Sequence, residues 1–130
     1  MISQYLYIST APDLNREDVD AILASSQRNN PEINVTGMLL YNGRNFLQLL
    51  EGEESQLVSL MVKISHDPRH TGISMIDRRL VDQRACGDWN MQRIRISDNI
   101  EKRRELLDEQ LPAALDDDLR NIVMNFAVLN

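Results

Sequence analysis

The segment NFLQLLEGE, residues 45–53, carries apolar side chains at odd and even positions alike. Side chains alternate between the faces of a strand, so Phe46 and Leu50 point one way and Leu47 and Leu49 the other. A strand that is apolar on both faces must be covered on both sides. Gln48 interrupts the pattern on the face of Phe46 and Leu50. A buried carboxamide without partners costs about 1–3 kcal/mol. Either the protein itself satisfies Gln48, or something else occupies that face.

The flanking sequence supplies the covering layers. Residues 1–9 read as a strand with Tyr5, Tyr7 and Ser9 on one face and Leu6 and Ile8 on the other. After the turn Ala11-Pro12-Asp13, a helix is predicted over residues 16–28, with Val19, Ile22 and Leu23 at helical spacing. Asn29-Asn30-Pro31 is predicted to end it, because Pro31 disfavours a helical conformation at Asn30. Strands over 35–41 and 45–51 flank Asn42-Gly43-Arg44, a hairpin signal. A second helix over 54–65 places Leu57, Leu60, Met61 and Ile64 on one face and stops before Asp67-Pro68. Weaker strand patterns follow over 73–80 and 89–96.

Residues 99–110 and 114–129 read as two amphipathic helices separated by Leu111-Pro112. Leu119, Ile122, Val123 and Phe126 form an i, i+3, i+4, i+7 stripe. The order β-α-β-β-α-β-β is α+β, close to a ferredoxin-like sandwich. Two helices cover one sheet face, and the C-terminal pair covers the other, where Leu47 and Leu49 point. This divides the chain into residues 1–97 and a helical cap over 98–130.

Charge and cysteine content narrow the function. The 130 residues suffice for one domain with a real core. A net charge of −6 argues against a phosphate-backbone binder. Arg78, Arg79 and Arg84 form a local basic strip, read as a solvated face. Cys86 is the only cysteine, which fits a reducing, cytoplasmic compartment. With only His66 and His70 beside it, no metal site is expected. No run of about 18 apolar residues offers a membrane span. The N-terminus MISQYLYIST lacks the basic region of a signal peptide.

Catalytic patterns are poor. Ser25 and Ser26 have no evident His/Asp partners, and no Gly-rich phosphate loop occurs. Glu51, Glu53 and Glu54 read as surface charges at a strand end, and Asp67, Arg69 and His70 as a charged helix terminus. In a ferredoxin-like sheet the first and third strands are central neighbours, so Tyr7 and Gln48 face the same two helices. From the residues alone, a tyrosine hydroxyl bonded to a glutamine within a core accounts for both.

Taken together, YLYIS, ILASSQRNNP, VTGMLLYNG, FLQLLEGE, KISHDPRH and DWNM resemble the blue-light-using flavin (BLUF) photoreceptors, in the family order over residues 2–96. The resemblance implies a flavin, FAD with FMN or riboflavin as alternatives, slotted between the first two helices with its ring against the sheet. Gln48 would bridge Tyr7 and the polar edge of the ring, since an amide offers both a donor and an acceptor. Asn30, with Asn29 beside it, would bond the carbonyl and imide edge. Ile22 and Ile64 would sandwich the ring, and Lys63 would approach the ribityl phosphate. Asp67, Arg69 and His70 match the D-x-R-H segment near the cofactor. Trp89 and Met91 match W-x-M on the strand that relays the signal; which of the two lies beside Gln48 differs among members. Where the family often has an aromatic residue, two places after Arg84, this chain has Cys86, read as a small packing residue.

The mechanism so implied is not enzymatic. Tyr7 donates an electron and a proton, Gln48 relays the proton and changes its hydrogen bonding, and Met91 and Trp89 pass the change to the C-terminal helices. No effector module fits into the remaining residues, so the output is expected to reach a separate downstream signalling protein, with a homo-oligomer expected from exposed apolar helix surface. Two rivals stay open. A small flavin-dependent oxidoreductase needs a substrate pocket beside the ring and a nicotinamide-binding feature. A ferredoxin-like nucleic-acid-binding module needs a basic face, which this chain lacks, and aromatic stacking residues, which make up only 5% of it.

Overall fold

Residues 1–12, 14–69 and 71–128, the part of the chain described by this computed structural model, form a five-stranded mixed sheet with helices on both faces. In chain order the elements are β1 (Ile2–Thr10), α1 (Arg16–Asn29), a single 3-10 turn (Asn30–Ile33), β2 (Thr36–Tyr41), β3 (Asn45–Gly52), α2 (Glu54–Ser65), β4 (Thr71–Val81), β5 (Gln92–Arg93), α3 (Arg103–Gln110) and α4 (Asp117–Val128). The strand order is β4-β1-β3-β2-β5. β1 pairs antiparallel with β3 and β4, β2 antiparallel with β3, and β5 parallel with β2. The α+β, ferredoxin-like arrangement expected from the sequence is the one observed, with β1 and β3 as central neighbours.

Side-chain alternation splits the core into two layers. Tyr5, Tyr7, Leu39, Phe46 and Leu50 pack with Val19 of α1 and Leu57 of α2. Leu6, Met38, Leu40, Leu47 and Leu49 pack on the other face against Leu107 of α3 and Leu119, Val123 and Phe126 of α4. Burial of each leucine contributes about 1.5–3 kcal/mol, so β3 is stabilised from both sides. The capping box of Asn15 and Asp18 starts α1. In the β2–β3 hairpin, Gly43 takes φ 92°, and Asn42 Oδ1 accepts from the backbone N–H groups of Arg44 and Asn45.

The structure corrects several expected boundaries. Asn30 is helical, φ −64° and ψ −37°, despite preceding Pro31. The chain turns there into the 3-10 turn, and the Asn30 side chain is anchored by a 3.4 Å bond from Nδ2 to the Asn90 carbonyl. The fifth strand shrinks from the expected 89–96 to two residues, because its parallel pairing with β2 covers only Met38↔Gln92 and Leu39↔Arg93. Trp89 and Met91 therefore precede the strand in a loop. α3 starts at Arg103 rather than residue 99, since Asn99 Oδ1 accepts from the N–H groups of Glu101 and Lys102 and folds them into a turn. α4 starts at Asp117, after a turn closed by Leu115 N–H on the Pro112 carbonyl.

The basic strip is not a solvated face. Arg79 pairs with Asp77, Asp116 and Asp118 and ties β4 to the start of α4. Arg84 donates to Thr36 Oγ1 and to the carbonyls of Glu51 and Asn34. Only Arg78 is well exposed, and it lies over the Tyr5 ring while bonding Glu54. Nor is Glu51 a surface charge: it is 0% exposed. It shares the inward face of Leu47 and Leu49, the strand alternation that a charged side chain had masked.

Candidate functional site

Cross-strand register builds the site. Gln48 lies directly opposite Tyr7 on β1 and Leu39 on β2, so the three side chains stand in a row beneath α1 and α2. The Tyr7 hydroxyl donates to Gln48 Oε1. Gln48 Nε2 donates to Met91 Sδ at 3.4 Å. Tyr7 is 1% exposed and Gln48 6%, so the glutamine that interrupts β3 has a partner on each end of its amide.

In front of this row lies a cleft of about 360 Å³ between α1 and α2. The structure brings Tyr7, Ile22, Asn29, Asn30, Gln48, Lys63, Ile64, Asp67 and Arg69 onto its walls. Ile22 comes from α1, and Lys63 and Ile64 from the last turn of α2. Met91 is buried behind Gln48 and is not on the cleft wall, whereas Trp89 packs against the opposite core layer, beyond the sheet. The contact with Gln48 is thus made by Met91. His70 falls outside the described residues.

Further wall residues were not singled out as site residues by the sequence. Ser25, Ser26, Glu32, Ile33, Leu39, Phe46 and Leu60 also line the cleft. Leu39 and Phe46 were legible from strand alternation, since they share the face of Gln48. Ser25 and Ser26 stand one turn after Ile22 on α1, and the sequence offers them only as serines without His/Asp partners. Gln27 reads in the sequence as an ordinary polar helix residue, yet its Nε2 donates to the Met91 carbonyl at 2.9 Å.

Electrostatics set the protonation state of the site. Burial, with the charge of Asp67 added, pushes the Tyr7 phenol above its ordinary value, so it keeps its proton and remains a donor. Asp67 and Arg69 form a forked pair, with Arg69 Nη2 2.6 Å from Asp67 Oδ2. That hydrogen bond raises the Arg69 guanidinium further. Among the described residues Lys63 has no ion-pair partner, which leaves its ammonium available to an anion at the cleft mouth. Cys86 is a buried free thiol whose ionisation is opposed by burial and then by the Glu51 charge, which suits packing rather than redox work.

The walls fit a planar, amphipathic heteroaromatic ring. Aliphatic side chains from two helices face each other across the cleft, a glutamine amide stands at its floor, and two asparagines stand at its side. Such a site offers stacking surface together with a mixed donor and acceptor edge.

Comparison with known proteins gives the same direction. A family model described as sensors of blue-light using FAD matches residues 2–92. Photoactivated adenylate cyclase subunit beta of Euglena longa is 35% identical over 88 residues, 67% of this chain and 10% of that protein. The chain therefore spans a small part of such curated relatives. Among solved structures, Klebsiella pneumoniae BlrP1 with FMN and cyclic diGMP is similar at 28% identity and TM-score 0.82, covering 98% of this chain and 34% of the other. BlrB, a BLUF protein in its dark state, is similar at 27% identity and TM-score 0.76, with 99% and 97% covered.

Proposed function

The chain belongs to the BLUF family of blue-light sensors that use FAD, and from that premise we propose that Tyr7, Gln48 and Met91 form its light-switching group, with a flavin in the cleft between α1 and α2. The observation that carries the reading is the continuous chain from the Tyr7 hydroxyl through the Gln48 amide to Met91 Sδ. FAD is the flavin of the family description, and the Klebsiella relative solved with FMN supports recognition centred on the ring and ribityl phosphate. Ile22 and Ile64 would hold the ring faces. Asn29, Asn30 and Gln48 would hold its polar edge, and Lys63 the phosphate, with Asp67 and Arg69 shaping the wall.

When bound, the flavin supplies absorption of blue light and an acceptor for one electron. The protein's part is to hold and move a proton. Tyr7 keeps its phenolic proton in the dark, has Gln48 Oε1 in place to receive it, and would take it back together with the returning electron, so that only the arrangement of the Gln48 amide is left changed. Gln48 presents its carbonyl to Tyr7 and its NH₂ to Met91, so turning the amide over reverses both contacts. The carbonyl would then face the Met91 sulfur, an acceptor against a weak acceptor, and Met91 must shift. Gln27 and Asn30 hold the carbonyls of Met91 and Asn90, so that shift reaches α1 and the loop before β5.

The test is direct. The full chain loaded with FAD should be yellow, and blue light should shift its absorption to the red, with full return in the dark. Protein that stays colourless after refolding with FAD, or whose spectrum ignores blue light, would overturn the reading.

Two further outcomes follow. Lys63→Ala should weaken FMN and FAD binding by about two- to fivefold, the size of one exposed charge contact, and leave riboflavin affinity unchanged. Equal losses for all three flavins in titration would place Lys63 away from the phosphate. Met91→Ala should retain flavin and most of the red shift, yet shrink the dark-versus-lit difference in hydrogen exchange over residues 99–128. An undiminished difference would exclude Met91 as the relay.

The output surface is proposed to be the cap, residues 98–130, acting on a separate signalling protein from the flavin-binding unit, residues 1–97. The cap packs directly on the face of the sheet opposite Gln48, which supports this route. Exposed Val58, Val62, Met75, Ile76 and Leu80 on α2 and the edge strand β4 support a homo-oligomer. The single free cysteine supports a cytoplasmic location. No helix among the described residues is long and apolar enough to cross a membrane.

A further inference from the structure

We infer that Glu51 is a positioning residue of the light switch: it fastens the loop between β4 and β5 so that Met91 stays seated on Gln48. The inference rests on the reading of Tyr7, Gln48 and Met91 as the switching group. Glu51 stands three residues after Gln48 on β3, on the opposite face of the sheet, and does not line the flavin cleft. Any influence on the photochemistry therefore passes through the loop.

Four donors converge on its carboxylate. Oε2 accepts from Gln4 Nε2 at 2.8 Å and from the Ala85 backbone N–H at 2.7 Å. Oε1 accepts from the Cys86 backbone N–H at 2.8 Å and from Thr36 Oγ1 at 3.2 Å. Arg84 donates in turn to Thr36 Oγ1 at 2.9 Å and to the Glu51 carbonyl at 3.0 Å. Three successive loop residues, Arg84, Ala85 and Cys86, are thus bonded to one buried corner of the sheet.

From that corner the loop is tied down stepwise to the switch. Trp89 N–H bonds the Cys86 carbonyl at 3.0 Å, and the Trp89 carbonyl accepts from Gly37 N–H at 3.1 Å. Gly37 admits the crossing because a Cβ there would stand 1.9 Å from the Leu49 carbonyl oxygen and 3.3 Å from Met91 Cε. The next two residues are Asn90 and Met91, held by Asn30 and Gln27. One strand therefore grips both ends of the loop, Glu51 on the cap face and Gln48 on the flavin face.

A carboxylate is required, because only an acceptor-only group matches this set of donors. In Glu51→Gln, the new NH₂ must face either Ala85 N–H or Cys86 N–H, so one backbone donor loses its partner. Gln4 can turn to accommodate the change, since its Oε1 is buried without a hydrogen-bond partner. The backbone N–H groups cannot.

The experiment uses the full chain with FAD and reads the thermal return to the dark state after a blue pulse. Glu51→Gln should keep the red shift, because Tyr7 and Gln48 are untouched, and change the recovery rate about tenfold, in line with leaving one buried N–H unpaired. Thr36→Val, which keeps the carboxylate and removes one donor with its link to Arg84, should change the rate in the same direction by less. It decides the matter if Glu51→Gln does not fold. The discriminating readout is coupling: in a Met91→Ala background, either substitution should leave recovery unaltered. Rates within twofold of the parent, or effects that multiply with Met91→Ala, would overturn the inference. A parent protein without any red shift would instead refute the photoreceptor reading.

Discussion

Tyr7→Phe is expected to hold its flavin and lose the light cycle entirely. Phenylalanine keeps the ring that packs among Leu39, Phe46 and Leu50, so the cleft floor is retained. Only the hydroxyl goes, and with it the proton and the readily oxidised phenol beside Gln48. The Gln48 carbonyl loses its donor in a buried setting, a cost of about 1 kcal/mol. The variant should therefore be yellow, slightly less stable, and show no red shift at any light dose. An undiminished shift would remove Tyr7 from the mechanism.

Gln48→Leu should be equally silent to light, for a different reason. The leucine keeps the apolar character of β3 but offers Tyr7 no acceptor and Met91 no donor. The Tyr7 hydroxyl is then a buried donor without its acceptor, costing about 1–3 kcal/mol. Adding Tyr7→Phe removes that orphan. The double variant should thus be more stable to denaturant than Gln48→Leu alone, although it carries one substitution more. Replacing both partners of a buried bond is nearly neutral, whereas replacing one is not. Equal or lower stability of the double variant would mean that the Tyr7–Gln48 bond contributes little to the fold.

Much of the architecture was legible because it depends on local periodicity. The α2 helix, Glu54–Ser65, coincides with its predicted bounds, since Leu57, Leu60, Met61 and Ile64 set its face and Asp67-Pro68 its end. The stripe Leu119, Ile122, Val123 and Phe126 finds the face of the sheet that Leu47 and Leu49 demanded. Boundaries failed where a side chain competed with the helix, as at Asn99, or where tertiary packing overrode a local preference, as at Asn30. The cleft residues Tyr7, Asn29, Asn30, Gln48 and Lys63 were legible through family motifs; their neighbours Leu60 and Ile33 were not, because an apolar residue on a cleft wall reads like any core residue.

By itself the sequence determined that β3 must be covered on both sides, that Tyr7 and Gln48 share a face, and that the chain is a member of the BLUF family. Those properties follow from alternation, helical spacing and motifs in order. The tertiary structure alone decided that Met91 rather than Trp89 meets Gln48, that Arg79 and Arg84 are structural cations, and that Glu51 is the buried anchor of the β4–β5 loop. Each of these depends on partners far apart in the chain, 43 residues for Gln48 and Met91 and 34 for Glu51 and Ala85. A charged residue at a strand end looks solvated until the fold lays four hydrogen-bond donors against it. No local period records that event, because the donors come from three separate segments that only packing brings together.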